Sequence, residues 1–228
     1  MHEYNVYEDV AQRSGGDIYI GVVGPVRTGK STLIKKFMTE LIIPNVADGH
    51  LKKVMTDELP QSASGKSVMT TEPKFIPAAA AEVKIENAQA RVRFADCVGF
   101  IADGASGFED GGKPRLVNTP WSERPLPFAE AAELGTDKVI SEHSTIGICV
   151  TTDGSIAEIP RKGYINAEER IVSRLKALNK PFVIVLNCAD PNAAPAKKLR
   201  TELENKYGVT VLALNCEKLD EAGLLNIL

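Results

Sequence analysis

Apolar positions follow alternating rhythms along this chain. Short unbroken runs at Asp17–Val23, 145–150, 181–186 and 209–214 read as strands buried on both faces. Between them, apolar residues fall at helical spacing. Leu33, Ile34, Phe37, Met38, Leu41 and Ile42 form one stripe, which Pro44 is expected to stop. Phe128–Ser141 reads as a second helix. Residues 165–178 read as a third, with Ile171, Val172, Leu175 and Leu178 on one face, and 195–208 as a fourth, with Leu199, Leu203 and Tyr207 as its stripe. Strict alternation marks Glu82-Val83-Lys84-Ile85 and Arg91-Val92-Arg93-Phe94, which the turn at 86–89 would join as a hairpin with one wet face. Lys74-Phe75-Ile76-Pro77 reads as a separate short edge strand. The whole predicts an α/β fold of three layers: a mostly parallel sheet with an antiparallel edge hairpin.

Two connections stand out. Residues 45–70 are polar and mixed, and residues 100–127 form a long irregular segment that carries the only tryptophan, Trp121. A long irregular segment inside a compact domain usually means function or mobility. At the start, Tyr4, Tyr7, Val10 and Ala11 recur at helical spacing until Gly15-Gly16. The expected organisation is an N-terminal helix over 1–16 followed by one domain over 17–228. The last stretch, 217–228, reads as a helix ending without a cap, so the domain is expected to be excised from a longer protein.

Composition narrows the function classes. The 228 residues are 43% hydrophobic and 25% charged, with a formal net charge of −3. That balance fits a soluble globular domain and argues against nonspecific binding to nucleic acid or anionic lipid. No apolar run approaches the ~20 residues that span a bilayer. The first residues lack a basic region followed by an apolar one, so a cytoplasmic location is expected. Cys97, Cys149, Cys188 and Cys216 lie far apart, with neither disulfide-framework nor zinc spacing, and read as small buried hydrophobes.

The chemistry begins at Gly24-Pro25-Val26-Arg27-Thr28-Gly29-Lys30-Ser31, which fits G-x-x-x-x-G-K-[ST], the Walker A phosphate loop, between a predicted strand and a predicted helix. Its glycines let the backbone curl so that amide groups can face anionic oxygen, and the helix adds the positive end of its dipole. Gly24, Arg27, Thr28, Gly29, Lys30, Ser31 and Thr32 are the candidate nucleotide-binding residues. The Lys30 ammonium would reach the β- and γ-phosphates, and the Ser31 hydroxyl would ligate Mg²⁺.

Three further stretches refine this reading. Thr70 or Thr71 lies where a switch-type NTPase carries the threonine that binds Mg²⁺ and senses the γ-phosphate. Asp96-Cys97-Val98-Gly99 fits D-x-x-G at a strand end. Asp96 would hold the metal, and the amide of Gly99 would meet the γ-phosphate. The following position, which in Ras-like GTPases is the water-orienting glutamine, is Phe100 here. Either Phe100 packs under the loop, or another group completes the site: Lys113, Arg115, more weakly His143, or a residue of a neighbouring subunit. Asn187-Cys188-Ala189-Asp190 falls where N-K-x-D would recognise guanine; Asn187 and Asp190 are retained and the lysine is not. Thr70, Thr71, Lys30 and Asp96 are thus the candidate catalytic residues, and Ser31, Thr71 and Asp96 the candidate metal ligands.

With these parts in hand, the chain resembles the translation-factor-related class of P-loop NTPases and, within it, the stage IV sporulation protein A family of spore-forming Firmicutes. The residues that carry the likeness are Gly16-Asp17-Ile18-Tyr19, Gly24 to Ser31, Asp57-Glu58-Leu59-Pro60-Gln61-Ser62, Met69-Thr70-Thr71-Glu72-Pro73-Lys74-Phe75, Asp96-Cys97-Val98-Gly99, Asn118-Thr119-Pro120-Trp121 and Glu142-His143-Ser144-Thr145-Ile146-Gly147. The resemblance implies a cytoplasmic ATPase of the mother cell that uses Mg²⁺ with ATP rather than GTP. It implies self-assembly into a homopolymer on the forespore surface, anchored by a small amphipathic membrane peptide, on which coat proteins assemble. The family's Walker A lysine corresponds to Lys30, its sensor threonines to Thr70 and Thr71, and its Walker B aspartate to Asp96. The alternatives are a GTP-binding switch, supported by Asn187 and Asp190, and a structural protein that holds nucleotide without turnover, supported by Phe100.

Overall fold

The computed structural model describes residues 17–60, 73–85 and 88–228. Its strands are β1 (Asp17–Val23), β2 (Lys74–Ile85), β3 (Ala88–Asp96), β4 (Glu109–Asp110), β5 (Lys113–Pro114), β6 (Leu116–Thr119), β7 (Ser122–Pro127), β8 (Ile146–Thr152), β9 (Phe182–Asn187) and β10 (Val211–Leu214). Six of them make one sheet in the order β10-β9-β8-β1-β3-β2. Every pairing in it is parallel except β2 with β3, so β2 is an antiparallel edge strand. The three-layer α/β expectation holds, with a P-loop NTPase-like fold.

The helices are α1 (Lys30–Lys36), α2 (Gly49–Asp57), α3 (Phe128–Ser141), α4 (Ile165–Ala177), α5 (Ala194–Tyr207) and α6 (Glu221–Ile227). Alternate residues of the strands feed two cores. On one face Ile18, Ile20, Val22, Val92, Phe94 and Ile148 pack with Leu33, Ile34, Phe37 and Met38 from α1 and its continuation, and with Leu224 and Ile227 of α6. Each such fully buried side chain contributes about 1.5–3 kcal/mol. The Phe37 and Phe94 rings meet at 4.8 Å, a geometry worth ~1 kcal/mol more. On the other face Val23, Ala95, Cys149, Ile184 and Leu186 pack with Val139 and Ile140 of α3, Ile171, Val172 and Leu175 of α4, and Leu203 and Tyr207 of α5. Since β1 has β3 on one side and β8 on the other, with connecting helices on opposite faces, a crevice opens at the carboxyl end of β1. The phosphate loop begins there.

Several expectations change. The segments read as two strands, 74–77 and 82–85, are one strand, β2. Its pairing with β3 shifts register between Ile76 and Ala81, and the edge position tolerates Pro77, which has no amide to donate. The irregular stretch 100–127 contains two small antiparallel ribbons, β4-β5 and β6-β7. The polar region after the first helix holds α2, begun by Asp48, whose Oδ1 accepts from the amides of His50 and Leu51. Pro44 does not end the first helix at Ile42. The chain passes through a π-helical stretch, Phe37–Ile42, into a last turn, Ile43–Asn45, where Asn45 Nδ2 donates to the Leu41 carbonyl at 2.7 Å. The last helix starts at Glu221, capped by Asp220. The expected helix at 1–16 lies outside the described residues, as do Thr70 and Thr71. No helix among the described residues is long and apolar enough to cross a membrane.

Candidate functional site

The loop leaves β1 at Gly24 and enters α1 at Lys30, and its glycines are where the backbone leaves no room. Gly24 has φ 149°, and a Cβ there would lie 2.1 Å from the Val150 carbonyl oxygen of β8. Gly29 has φ 93°, and its Cβ would lie 2.3 Å from Asn187 Nδ2. Arg27 also takes a positive φ, 63°. Thr28 Oγ1 donates to the Pro25 carbonyl at 3.0 Å, closing the loop on itself. No side chain caps the start of α1, where Leu33 N–H bonds to the Gly29 carbonyl at 2.9 Å; Ser31 and Thr32 sit in this first turn.

Lys30 is only 5% exposed. Its ammonium donates to the carbonyls of Pro25 (2.7 Å) and Gly24 (3.2 Å), so it lies along the inside of the loop. Burial pushes its pKa down, and nearby Cys97 and Asp96 oppose that shift. The parallel register sets Asp96 beside Val22, at the loop's root. Ser31 Oγ donates to Asp96 Oδ2 at 2.9 Å. Burial raises the Asp96 pKa, while Lys30 and the Ser31 bond pull it back. Asp96 Oδ1 is buried and has no hydrogen-bond partner among the described residues. A hydroxyl and a carboxylate with an unfilled oxygen are the hard donors that suit Mg²⁺, which takes one or two carboxylates plus phosphate and water. Gly99, at φ 90°, closes the far wall: a Cβ there would lie 1.9 Å from the Gly24 carbonyl oxygen and 2.8 Å from Lys30 Nζ. The Val26 amide bonds to the Phe100 carbonyl at 2.9 Å, tying loop to D-x-x-G.

The structure therefore brings Gly24, Gly29, Lys30, Ser31, Asp96 and Gly99 together, with Asn187 alongside. Asn187, 4% exposed, donates from Nδ2 to the Thr28 carbonyl (3.0 Å) and accepts at Oδ1 from the Cys216 amide (3.0 Å). Asp190 stands apart from this cluster. It accepts from the Asn192 amide at 2.9 Å and lines an open cleft of about 520 Å³ with Ala189, Pro191, Leu214, Asn215, Lys218 and Leu219. The groups considered in place of a glutamine separate as well. Phe100 is fully buried in the core under α3 and α4, as a packed side chain would be. His143 packs edge-on to Phe75 at 5.6 Å. It adjoins Thr145, whose amide bonds to the Tyr19 carbonyl near the start of β1. That is the end of the sheet away from the phosphate loop, about 16 Å off at the rise of a strand, so His143 cannot complete the site of its own chain.

Sequence reasoning missed a buried ionic cluster beside the loop. Glu168 of α4 is fully buried. It receives Arg161 Nη1 (2.6 Å) and Nη2 (2.8 Å), the Tyr207 hydroxyl (2.8 Å) and the Thr151 hydroxyl. The signal was present: Glu168 falls on the apolar stripe of its helix with Ile171, Val172 and Leu175. A carboxylate there needs partners. The cluster fixes the turn after β8, whose Ile156 side chain approaches Gly29 and whose Ser155 hydroxyl accepts from the Ala189 amide at 2.9 Å.

A parallel sheet with helices on both faces, and a glycine-bounded loop closing on a buried lysine, define a P-loop NTPase-like domain. The family model described as "Stage IV sporulation protein A, ATPase domain" matches residues 1–228. The chain belongs to that family. Among curated proteins it is 54% identical to stage IV sporulation protein A of Clostridioides difficile, over 98% of this chain. It is 50% identical to that of Bacillus anthracis and 49% to that of Bacillus subtilis, each over 100% of the chain. It spans 46% of the length of each of these relatives.

Proposed function

We propose that this domain hydrolyses ATP and that turnover drives self-assembly of a basal layer for the spore coat, in the mother-cell cytoplasm at the forespore surface. The convergence of Lys30, Ser31, Asp96 and Gly99 at one mouth of the loop carries the reading. Lys30 exchanges the Gly24 and Pro25 carbonyls for the β- and γ-phosphate oxygens and neutralises their charge. Ser31 and Asp96, with Thr70 or Thr71, would hold Mg²⁺, which when bound offsets phosphate charge and orients the triphosphate. Gly24, Arg27, Thr28, Gly29 and Thr32 shape the cradle, and Gly99 positions the terminal phosphate. The family's description supports ATP as the nucleotide. By resemblance, the partners are further copies of the protein, a small amphipathic membrane-anchoring peptide and coat proteins.

Asp190, in the cleft beyond Asn187, favours the second reading, a GTP-dependent switch. Titrating the protein with ATP in competition with GTP separates the two: ATP tenfold or more tighter supports the first, and GTP preference overturns it. Phosphate release measured against protein concentration tests the coupling to assembly. A rate per molecule that rises as polymer forms is expected, and ATP bound without phosphate release contradicts hydrolysis.

A further inference from the structure

The residues placed so far leave one requirement of phosphoryl transfer unmet. As the γ-phosphoryl group separates from ADP, its charge must be stabilised beyond what holds the ground state. The position after Gly99 supplies nothing for this, because Phe100 is buried and apolar.

The cations near the site narrow the choice. Arg161 is held bidentate by Glu168, and Arg170 is held bidentate by Glu133 (2.7 and 2.6 Å) while lying over the Phe100 ring. Arg115 stacks over the Phe128 ring at 4.2 Å. Lys113 lies on the exposed β4-β5 ribbon opposite Asp110. Arg27 differs from all of them in its place, since with Lys30 it is one of two cations on the phosphate loop itself.

Three observations single it out. First, Arg27 at φ 63° and Asn179 at φ 50° are the only described non-glycine residues with a positive φ. Glycine would take that conformation without strain, so the backbone alone gives no reason for an arginine. Strain of this kind is retained where a side chain is required. Second, Arg27 and Lys30 are close enough for the charge of one to lower the pKa of the other. The repulsion between these two cations is relieved most where negative charge builds up, as it does on the phosphoryl group in transfer. Third, Val26 and Tyr164 pack in one small core behind the loop. The Tyr164 hydroxyl is buried without a hydrogen-bond partner among the described residues, and it interacts electrostatically with Arg27.

We propose that Arg27 is a catalytic residue of the hydrolysis inferred above: its guanidinium, supplied in cis by the phosphate loop, contacts the γ-phosphoryl oxygens as charge develops on them. The inference rests on the ATPase reading. The water oxygen bonds to the γ-phosphorus while the bond from that phosphorus to the β–γ bridging oxygen breaks. ADP leaves with the electron pair; one proton of the water passes to a γ-phosphate oxygen and the other stays on the oxygen now bonded to phosphorus, so the second product is dihydrogen phosphate. Arg27 stays protonated throughout, and its planar fork can meet two oxygens at once.

The test compares wild type, Arg27→Gly and Arg27→Lys by phosphate release at saturating ATP and by ATP titration. Glycine suits the backbone at this position, so an unchanged thermal melt is expected. In the glycine variant kcat should fall about a thousand-fold, the scale of an arginine delivered to a transferring phosphoryl group, with ATP affinity within about threefold of wild type. The lysine variant should recover only part of the rate, and added guanidinium ion should raise the rate of the glycine variant but not of wild type. A glycine variant that turns over at the wild-type rate overturns the proposal. So does one that loses ATP affinity at unchanged kcat, or one that melts early and does not respond to guanidinium. A wild-type protein that binds ATP without releasing phosphate instead removes the ATPase reading beneath it.

Discussion

The carboxamide of Asn187 lies 3.0 Å from the carbonyl oxygen of Thr28, and so a residue at the end of β9 holds the phosphate loop from the side. Its other end accepts from the Cys216 amide, which makes one buried side chain the joint between three loops. Asn187→Ala would leave a buried carbonyl and a buried amide unpaired. At ~1–3 kcal/mol for each of the two orphaned groups, stability should fall by about 2–6 kcal/mol. Urea unfolding measures this, and a loss below ~1 kcal/mol would mean that the two groups find other partners.

Lys30 is the most constrained cation of the site. Lys30→Ala should weaken ATP binding by ~2–5 kcal/mol, roughly 30-fold to several thousand-fold, as expected when one side of a buried, hydrogen-bonded charge contact is removed. Lys30→Arg should do little better. The Lys30 ammonium is buried between the Gly24 and Pro25 carbonyls and the side-chain-free face of Gly99, and a guanidinium is bulkier than the ammonium it would replace. Calorimetric titration decides, and an arginine variant that binds ATP like wild type would refute this steric argument.

Asp96 predicts a pH dependence. Burial holds its pKa above the ordinary 3.8. The folded chain therefore binds that proton more tightly than the unfolded chain does. Its contribution to stability is complete below about 3.8 and is lost as pH rises through the higher folded value. Asp96→Asn mimics the protonated form. Without nucleotide, the variant should match wild type at acid pH and become the more stable of the two at neutral pH. Denaturant midpoints across that range test it; a variant less stable than wild type at pH 7 would show that the charge attraction to Lys30 outweighs burial.

The parts of this site that follow from neighbouring residues were legible in the sequence. Gly24 to Ser31 lie between a strand and a helix, and Asp96 to Gly99 end a strand, so local spacing located them. Spacing puts Asn187 where N-K-x-D would recognise a base, but its bond to the Thr28 carbonyl of the phosphate loop belongs to the folded chain. What spacing could not give was the direction of Phe100, which turns into the core, or the edge strand that continues through Pro77. Nor could it give contacts between distant residues, such as Tyr207 with Glu168, because those depend on how two helices dock on one sheet face. Arg27 illustrates the same limit. Its place in the motif was plain, but its positive φ and the buried tyrosine behind it belong to the folded chain.

The Glu168 cluster yields the sharpest stability contrast. A buried carboxylate is expensive unless its lone pairs are filled, and here two guanidinium bonds and two hydroxyls fill them. Arg161→Ala should cost ~3–5 kcal/mol, because Glu168 would remain buried with its charge uncompensated. Tyr207→Phe removes one donor of several and should cost only about 1 kcal/mol. The double variant should lose more than the sum of the two, since with Arg161 gone the tyrosine hydroxyl becomes a major remaining donor to the carboxylate. Chemical denaturation of the four proteins forms the cycle. Strict additivity would mean that Glu168 accepts its hydrogen bonds from Arg161 and Tyr207 independently.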